Sequence, residues 1–315
     1  MFFVANRKIL FGIIGTLCAF SVGVLALWGL QFGIEFTGGT IVEVAYVGDL
    51  PHKDALEARL DTKDLGAYSL RQTGEDGYIL RARDITEDEY QGVKDALAVE
   101  GSELVEKRRA TVGPVIGEEL KNKAFVAIAT VAVLIVMFVA FAFRNIRDED
   151  EDDEEKLREV SSWMYGIIAI FVLLHDILVP LALFAVLGQF FGAEVDVLIV
   201  MALLTILGYS VNDTIVIFDR VRENLRKNKE EGEEEDFEEL VGRSLSQTYA
   251  RSINTSLTTL MVVTSLLVFG GPTTMYFALT LTVGVFAGTY SSLALAAPLL
   301  VVAQHRKDEK LAEKN

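Results

Sequence analysis

Apolar positions in this chain gather into uninterrupted runs. Six of them, near residues 9–30, 124–143, 163–187, 197–218, 253–271 and 275–303, are each about 20 residues long, which is the length a helix needs to cross a ~30 Å hydrocarbon core. The pattern predicts six transmembrane helices. The first run follows Arg7 and Lys8 and is longer than the apolar part of a secretory leader. No small-residue cleavage signal succeeds it, so it reads as a retained first span.

Between the first two runs, residues 31–123 change period. Residues 40–47 alternate apolar and β-branched positions, a strand signal. Pro51 opens a helical stretch over 52–64, with Ala55, Leu56 and Leu60 on one face. Residues 67–73 and 78–83 read as strands joined by the turn Gly74-Glu75-Asp76-Gly77. Thr86 and Glu89 have the spacing of a capping box, which starts a helix through about Val99. Gly101 stops it, and 104–112 supply a further strand. The order β-α-β-β-α-β is that of a ferredoxin-like split motif. The fold class expected is therefore a polytopic α-helical membrane protein carrying one α+β domain. Fold alone names no function.

Charge then sets an orientation. Arg and Lys number two before the first span, four in 144–161, seven in 219–252 and four in 304–315, while the short connections near 188–196 and 272–274 have none. Alternating spans put those four segments on one side, which the positive-inside rule assigns to the cytoplasm. The division expected is a tail and first span (1–30), an extracytoplasmic domain (31–123), a second span (124–143), an acidic cytoplasmic loop (144–162), two spans (163–218), a cytoplasmic loop (219–252), two more spans (253–303) and a cytoplasmic tail (304–315). The result is a multi-pass protein of the cytoplasmic membrane with both termini cytoplasmic. The net charge of −16 gives no support for a nucleic-acid partner. The acidic runs 148–155 and 230–239 read as solvated linkers.

Enzyme chemistry has no visible apparatus. The one cysteine, Cys18, lies within an apolar span, where it reads as a small hydrophobe. The three histidines, His52, His175 and His305, form no metal-ligand motif. Ionisable residues inside spans are expensive and by default mark function. The third span carries His175 and Asp176. The fourth places Asp213 about 10 Å along the axis from Arg220 at 1.5 Å per residue, too deep to reach the interface easily. Thr205, Gly208, Tyr209, Asn212, Asp213 and Val216 fall on one face, expected to point into the bundle. Arg251 opens the fifth span at its cytoplasmic mouth, ahead of Asn254, Thr255 and Thr258, where it can reach towards Asp213. A purely structural role remains open for each: hydrogen-bonded helix packing for Asp213, His175 and Asp176, and an interfacial anchor for Arg251. Asp219 and Arg220 read as an interfacial pair of little worth. Small residues at four-residue steps, Gly284-Gly288-Ser292-Ala296 in the last span and Gly15-Ala19-Gly23 in the first, predict close helix packing.

These motifs resemble a known family. The segment Phe32-Gly-Ile-Glu-Phe-Thr-Gly-Gly-Thr40 is similar to the opening motif of the SecD/SecF membrane proteins, with Glu35 where many relatives carry Asp. Residues 208–224 resemble the fourth-span signature of the SecF branch. Thr111-Val-Gly-Pro114, Arg251-Ser-Ile-Asn-Thr-Ser256 and Phe269-Gly-Gly-Pro272 match its pattern in order and position. The resemblance implies an RND-superfamily half that acts with SecD beside the SecY-E-G channel and uses the proton motive force to promote export of a translocating preprotein. It further implies that Asp213 and Arg251 belong to the proton path and that the matching carboxylate of the other half lies on SecD; Asn212, Thr255, His175 and Asp176 stand as second-rank candidates on the reading of the residues alone. No organic cofactor or metal is implied, only a coupling ion, H+ or Na+. Two rival readings are an RND-type small-molecule exporter half and a passive scaffold of the translocon.

Overall fold

The computed structural model describes residues 2–99, 101–143, 162–232 and 235–312. They fall into two compact units, Phe32–Val126 and the remainder, Met1–Gln31 with Ala127–Asn315. In chain order the elements are α1 (Phe2–Ala5), α2 (Arg7–Trp28), α3 (Ile34–Thr37), β1 (Gly39–Val47), α4 (Lys53–Leu60), β2 (Ser69–Thr73), β3 (Gly77–Ala82), α5 (Glu87–Leu97), β4 (Glu103–Val112), α6 (Pro114–Ala142), α7 (Ser162–Phe191), α8 (Val197–Glu231), α9 (Phe237–Phe269) and α10 (Pro272–Ser291). The last continues through a π-helical turn, Ser292–Ala296, into α11 (Ala297–Ala312).

In the smaller unit the sheet order is β2-β3-β1-β4, all antiparallel. With one helix after β1 and one after β3, this is the split β-α-β-β-α-β connection read from the sequence. Period-2 alternation puts Val42, Val44 and Tyr46 on one face of β1, where Leu56 and Leu60 of α4 and Val93 and Leu97 of α5 bury them. The Tyr46 hydroxyl donates to the Leu97 carbonyl at 2.9 Å and closes α5 onto the sheet. The capping box forms: Thr86 N donates to Glu89 Oε2 at 2.8 Å, and Glu89 N to Thr86 Oγ1 at 3.4 Å. Gly38 and Gly39 sit at φ +74° and +128°, where a side chain would be strained. A Cβ on Gly38 would lie 2.7 Å from Pro114 Cα at the start of α6, and one on Gly39 2.7 Å from the Ala82 carbonyl oxygen of β3, so each glycine permits a close backbone approach.

The larger unit holds the membrane bundle. Among the described residues six helices are long and apolar enough to span a membrane: α2, α6, α7, α8, α9 and the continuous α10–α11. The α10–α11 helix is the most enclosed and packs on α7, α8 and α9. Gly284 and Gly288 explain the closeness: a Cβ on Gly284 would lie 2.1 Å from Ile206 Cδ1, and one on Gly288 3.0 Å from Ser210 Cβ. The first-span stripe behaves differently. Gly15 and Gly23 have open space where a Cβ would be, and Gly15 and Ala19 are exposed, so this stripe packs on nothing within the described chain.

Residues 219–252 depart from the expected loop. Helix α8 runs on to Glu231, where Gly232 caps it in the left-handed region (φ +67°), and α9 begins at Phe237 behind Asp236. The extensions hold each other: Asn224 Nδ2 donates to Ser244 Oγ at 2.7 Å, and Arg243 Nη2 donates to Asn228 Oδ1 at 2.9 Å while pairing with Glu235 at 2.6 Å. Leu240, Val241 and Leu245 bury an apolar stripe beside Val221, and this amphipathic burial keeps the segment helical. Glu235, Asp236 and Glu238 therefore pair or cap rather than merely dissolve the segment; Glu238 binds Arg7 at 2.5 Å. The acidic run 148–155 lies outside the described residues.

Candidate functional site within the bundle

Asp213 lies on α8 and is 4% exposed. Its Oδ2 accepts from Ser256 Oγ of α9 at 3.5 Å. Ser256 in turn accepts from the Tyr209 hydroxyl at 3.1 Å. The Thr289 hydroxyl of α10 shares its proton between Ser256 Oγ and its own helix's Val285 carbonyl, each at 2.7 Å. Ser252, one turn before Ser256 on the same face, is buried beside the same carboxylate. Asp213 is thus met by hydroxyls. Among the described residues no cation lies within ion-pair distance of it, an expensive setting for an ionised carboxylate.

Arg251 is exposed on α9 and forms no ion pair among the described residues, but its charge is near enough to act on the Asp213 carboxylate. The polar face of α8 also divides: Asp213 and Ser210 turn inward, whereas Thr205, Gly208 and Asn212 are exposed. A six-position stripe spans more of a helix's circumference than one neighbour can cover, so the expectation that all of it faces the interior is corrected for those three. Thr255 is half-buried, and its carbonyl accepts from Thr258 and Thr259 at 2.8 and 3.0 Å. Arg220 pairs with Glu223 at 2.5 Å, and Asp219 is exposed.

A second polar knot lies on α7. His175 and Asp176 are 2% and 0% exposed, and His175 Nδ1 is 2.7 Å from Asp176 Oδ1. Asp176 Oδ2 accepts from Ser210 of α8 and, at 2.9 Å, from Ser291 of α10. Thr214 and Ser292 are 3.0 Å apart, joining α8 to the π turn. The hydroxyls of Ser210, Ser256, Thr289, Ser291 and Ser292 are the part that sequence reading missed. Single Ser and Thr residues are common in apolar helices and bond their own i−4 carbonyl. The one available signal was four consecutive polar residues, Thr289 to Ser292.

With this geometry in place, comparison with known proteins is decisive. The profile described as protein export membrane protein SecD/SecF, C-terminal, matches residues 93–147 and 160–306, and that of the SecD/SecF GG motif matches 29–48. The chain belongs to the SecD/SecF family. The protein translocase subunit SecF of Thermobaculum terrenum is 37% identical over 295 residues, covering 90% of this chain and 87% of that protein. That of Vibrio alginolyticus is 35% identical over 89% of this chain and 82% of its own length. A crystal structure of SecDF, a translocon-associated membrane protein from Thermus thermophilus, matches with a TM-score of 0.80 at 29% identity over 96% of this chain. SecDF in its super-membrane-facing form matches with a TM-score of 0.69 over 99%. The chain spans 38% and 40% of those SecDF chains. Within the family it falls among the SecF subunits, multi-pass membrane proteins with a transport rather than a catalytic role.

Proposed function

We propose that this chain is the SecF half of a proton-driven export motor, pairing with SecD beside the SecY-E-G channel of the cytoplasmic membrane and helping to draw preproteins outward. The coupling ion in this reading is H+, both termini are cytoplasmic, and Phe32–Val126 works outside. The observation that carries it is Asp213, a buried acid held by a hydroxyl and with no ion pair among the described residues, beside polar positions left exposed on α8 and α9. Asn212, Asn254 and Thr258 are exposed within apolar spans in a chain that spans 38% of the SecDF chain it resembles. Polar groups do not face lipid at such depth without cost, which supports a membrane-embedded second half that covers them.

The energy is sufficient. A proton crossing the membrane releases about 2.3 kcal/mol per 100 mV. Spent on the charge state of Asp213, that biases a two-state helix packing by more than tenfold at about 1.4 kcal/mol per decade. Arg251, 38 residues on and one helix over, is the cation that would approach when the acid is ionised. The test is preprotein export by vesicles holding the whole complex, with and without a proton gradient. Asp213→Asn abolishes the gradient-dependent part; full retention of that part rules the reading out and favours a scaffold.

A further inference from the structure

The proton path above leaves two buried ionisable side chains unused, His175 and Asp176 of α7. They form a closed knot. Asp176 receives Ser210 and Ser291 on Oδ2 and faces His175 Nδ1 across 2.7 Å on Oδ1, while His175 Nε2 lies 2.8 Å from the Tyr290 hydroxyl. The imidazole and phenol rings meet edge to face, 5.3 Å between centroids.

Donor counting shows what this arrangement can hold. With Nδ1 protonated and Asp176 ionised, the carboxylate has three donors, and Tyr290 donates to the bare Nε2 of a neutral imidazole. That state carries one uncompensated negative charge. Add a proton at Nε2, and Nε2–H donates to the Tyr290 oxygen instead; the pair is then neutral overall. Only the phenolic hydrogen turns, and no heavy atom has to move. The other titratable group close enough to feel the Asp176 charge is Cys18 of α2, an acid. From α8 the facing group is the Ser210 hydroxyl, from α10 the Tyr290 phenol. Among the described residues no Lys or Arg pairs with either member of the knot.

The knot is also wired to Asp213. Four consecutive residues of the enclosed helix each reach a different point: Thr289 to Ser256, the donor to Asp213; Tyr290 to His175; Ser291 to Asp176; Ser292 to Thr214. The π-helical turn Ser292–Ala296 begins at the end of this segment. Such a turn is one extra residue wound into a helix and is frequent at functional sites. A small rotation there changes all four contacts together.

We propose that the His175–Asp176 pair is a second proton-holding site of the bundle, exchanging its proton at His175 Nε2 against the Tyr290 hydroxyl and coupled to Asp213 through the segment Thr289–Ser292. Its place in export rests on the reading of Asp213 given above, but its first measurement does not.

The experiment is nitrogen NMR of histidine in the full chain in lipid vesicles, followed across pH. The His175 signal is identified by its loss in His175→Gln. The expected result is a change of charge state in the wild type. Tyr290→Phe, which deletes one neutral hydrogen bond, shifts the midpoint by about half to one pH unit. Asp213→Asn shifts it by about half a unit or more if the two sites are coupled. A His175 that keeps one charge state over the whole range in which the protein stays folded overturns the site. A midpoint unmoved by Tyr290→Phe overturns the exchange route, and one unmoved by Asp213→Asn overturns the coupling. Loss of gradient-dependent export in Asp213→Asn with a silent His175 leaves the first reading standing and this one refuted; a titrating His175 with unaltered export in Asp213→Asn does the reverse.

Discussion

Asp213 and Ser256 are separated by 3.5 Å, at the long limit of a hydrogen bond. A contact this slack keeps an acid in place without fixing its charge. Asp213→Glu lengthens the arm by one methylene and is expected to retain part of gradient-dependent export, measured in the same vesicles that show loss for Asp213→Asn; equal activity of the two variants contradicts an acid-specific role. The acids were legible in the sequence because a charge inside an apolar run is costly and therefore conspicuous. Their hydroxyl partners were not. Ser210 and Ser291 look, residue by residue, like Thr205 and Thr259, which merely bond their own helix at 2.8 and 3.0 Å. The direction of Asn212 was hidden for a related reason: helical periodicity gives the faces but not which of them a neighbour occupies.

Among elements, packing of α10 on α8 gives the sharpest contrast. Gly288→Val pushes carbon into Ser210, whose backbone Cα would be 3.3 Å away. Overpacking of this kind costs about 1–3 kcal/mol, read as a lowered melting temperature of the purified chain in detergent. Gly15→Val has nothing within 4 Å to strike and is expected within about 0.5 kcal/mol of the parent. The two stripes have the same spacing, so the sequence could not tell them apart. In the smaller unit, the Arg83 guanidinium and the Thr86 backbone hold Glu89 down to about 2 from a usual 4.5. A depressed carboxylate stabilises the folded form above its unfolded value and loses that effect as pH falls through the folded one. Hydrogen-exchange protection of α5 is therefore expected to decline between pH 4.5 and 2, and Glu89→Gln to remove most of that pH dependence; unchanged protection over the range contradicts the cap. This region read well from sequence because strand alternation and a capping box are local signals. The bulge between Glu43 and Val44 is not local, since it is set by pairing with β4.

At the scale of the whole molecule, the topology proposed above puts the tail before α2 and the end of α11 on one side of the membrane and Phe32–Val126 on the other. In a Cys18→Ala background, single cysteines at Asn6 and His305 are expected to react with an impermeant thiol reagent from the same face, and one at Lys63 from the opposite face. A shared face for all three contradicts the topology. The span count was plain in the sequence; the helical course of 219–252 was not. Its charges suggested a linker, whereas the apolar stripe of Leu240, Val241 and Leu245 is buried in a cluster with Val4, Val221 and Leu300, residues distant in sequence.

The central claim is that Asp213 moves protons, and proton flux tests it most directly. In proteoliposomes containing the assembled complex under an imposed gradient, a trapped pH dye should report inward flux for the wild type and flux at the level of empty liposomes for Asp213→Asn. Equal flux through both would contradict the account.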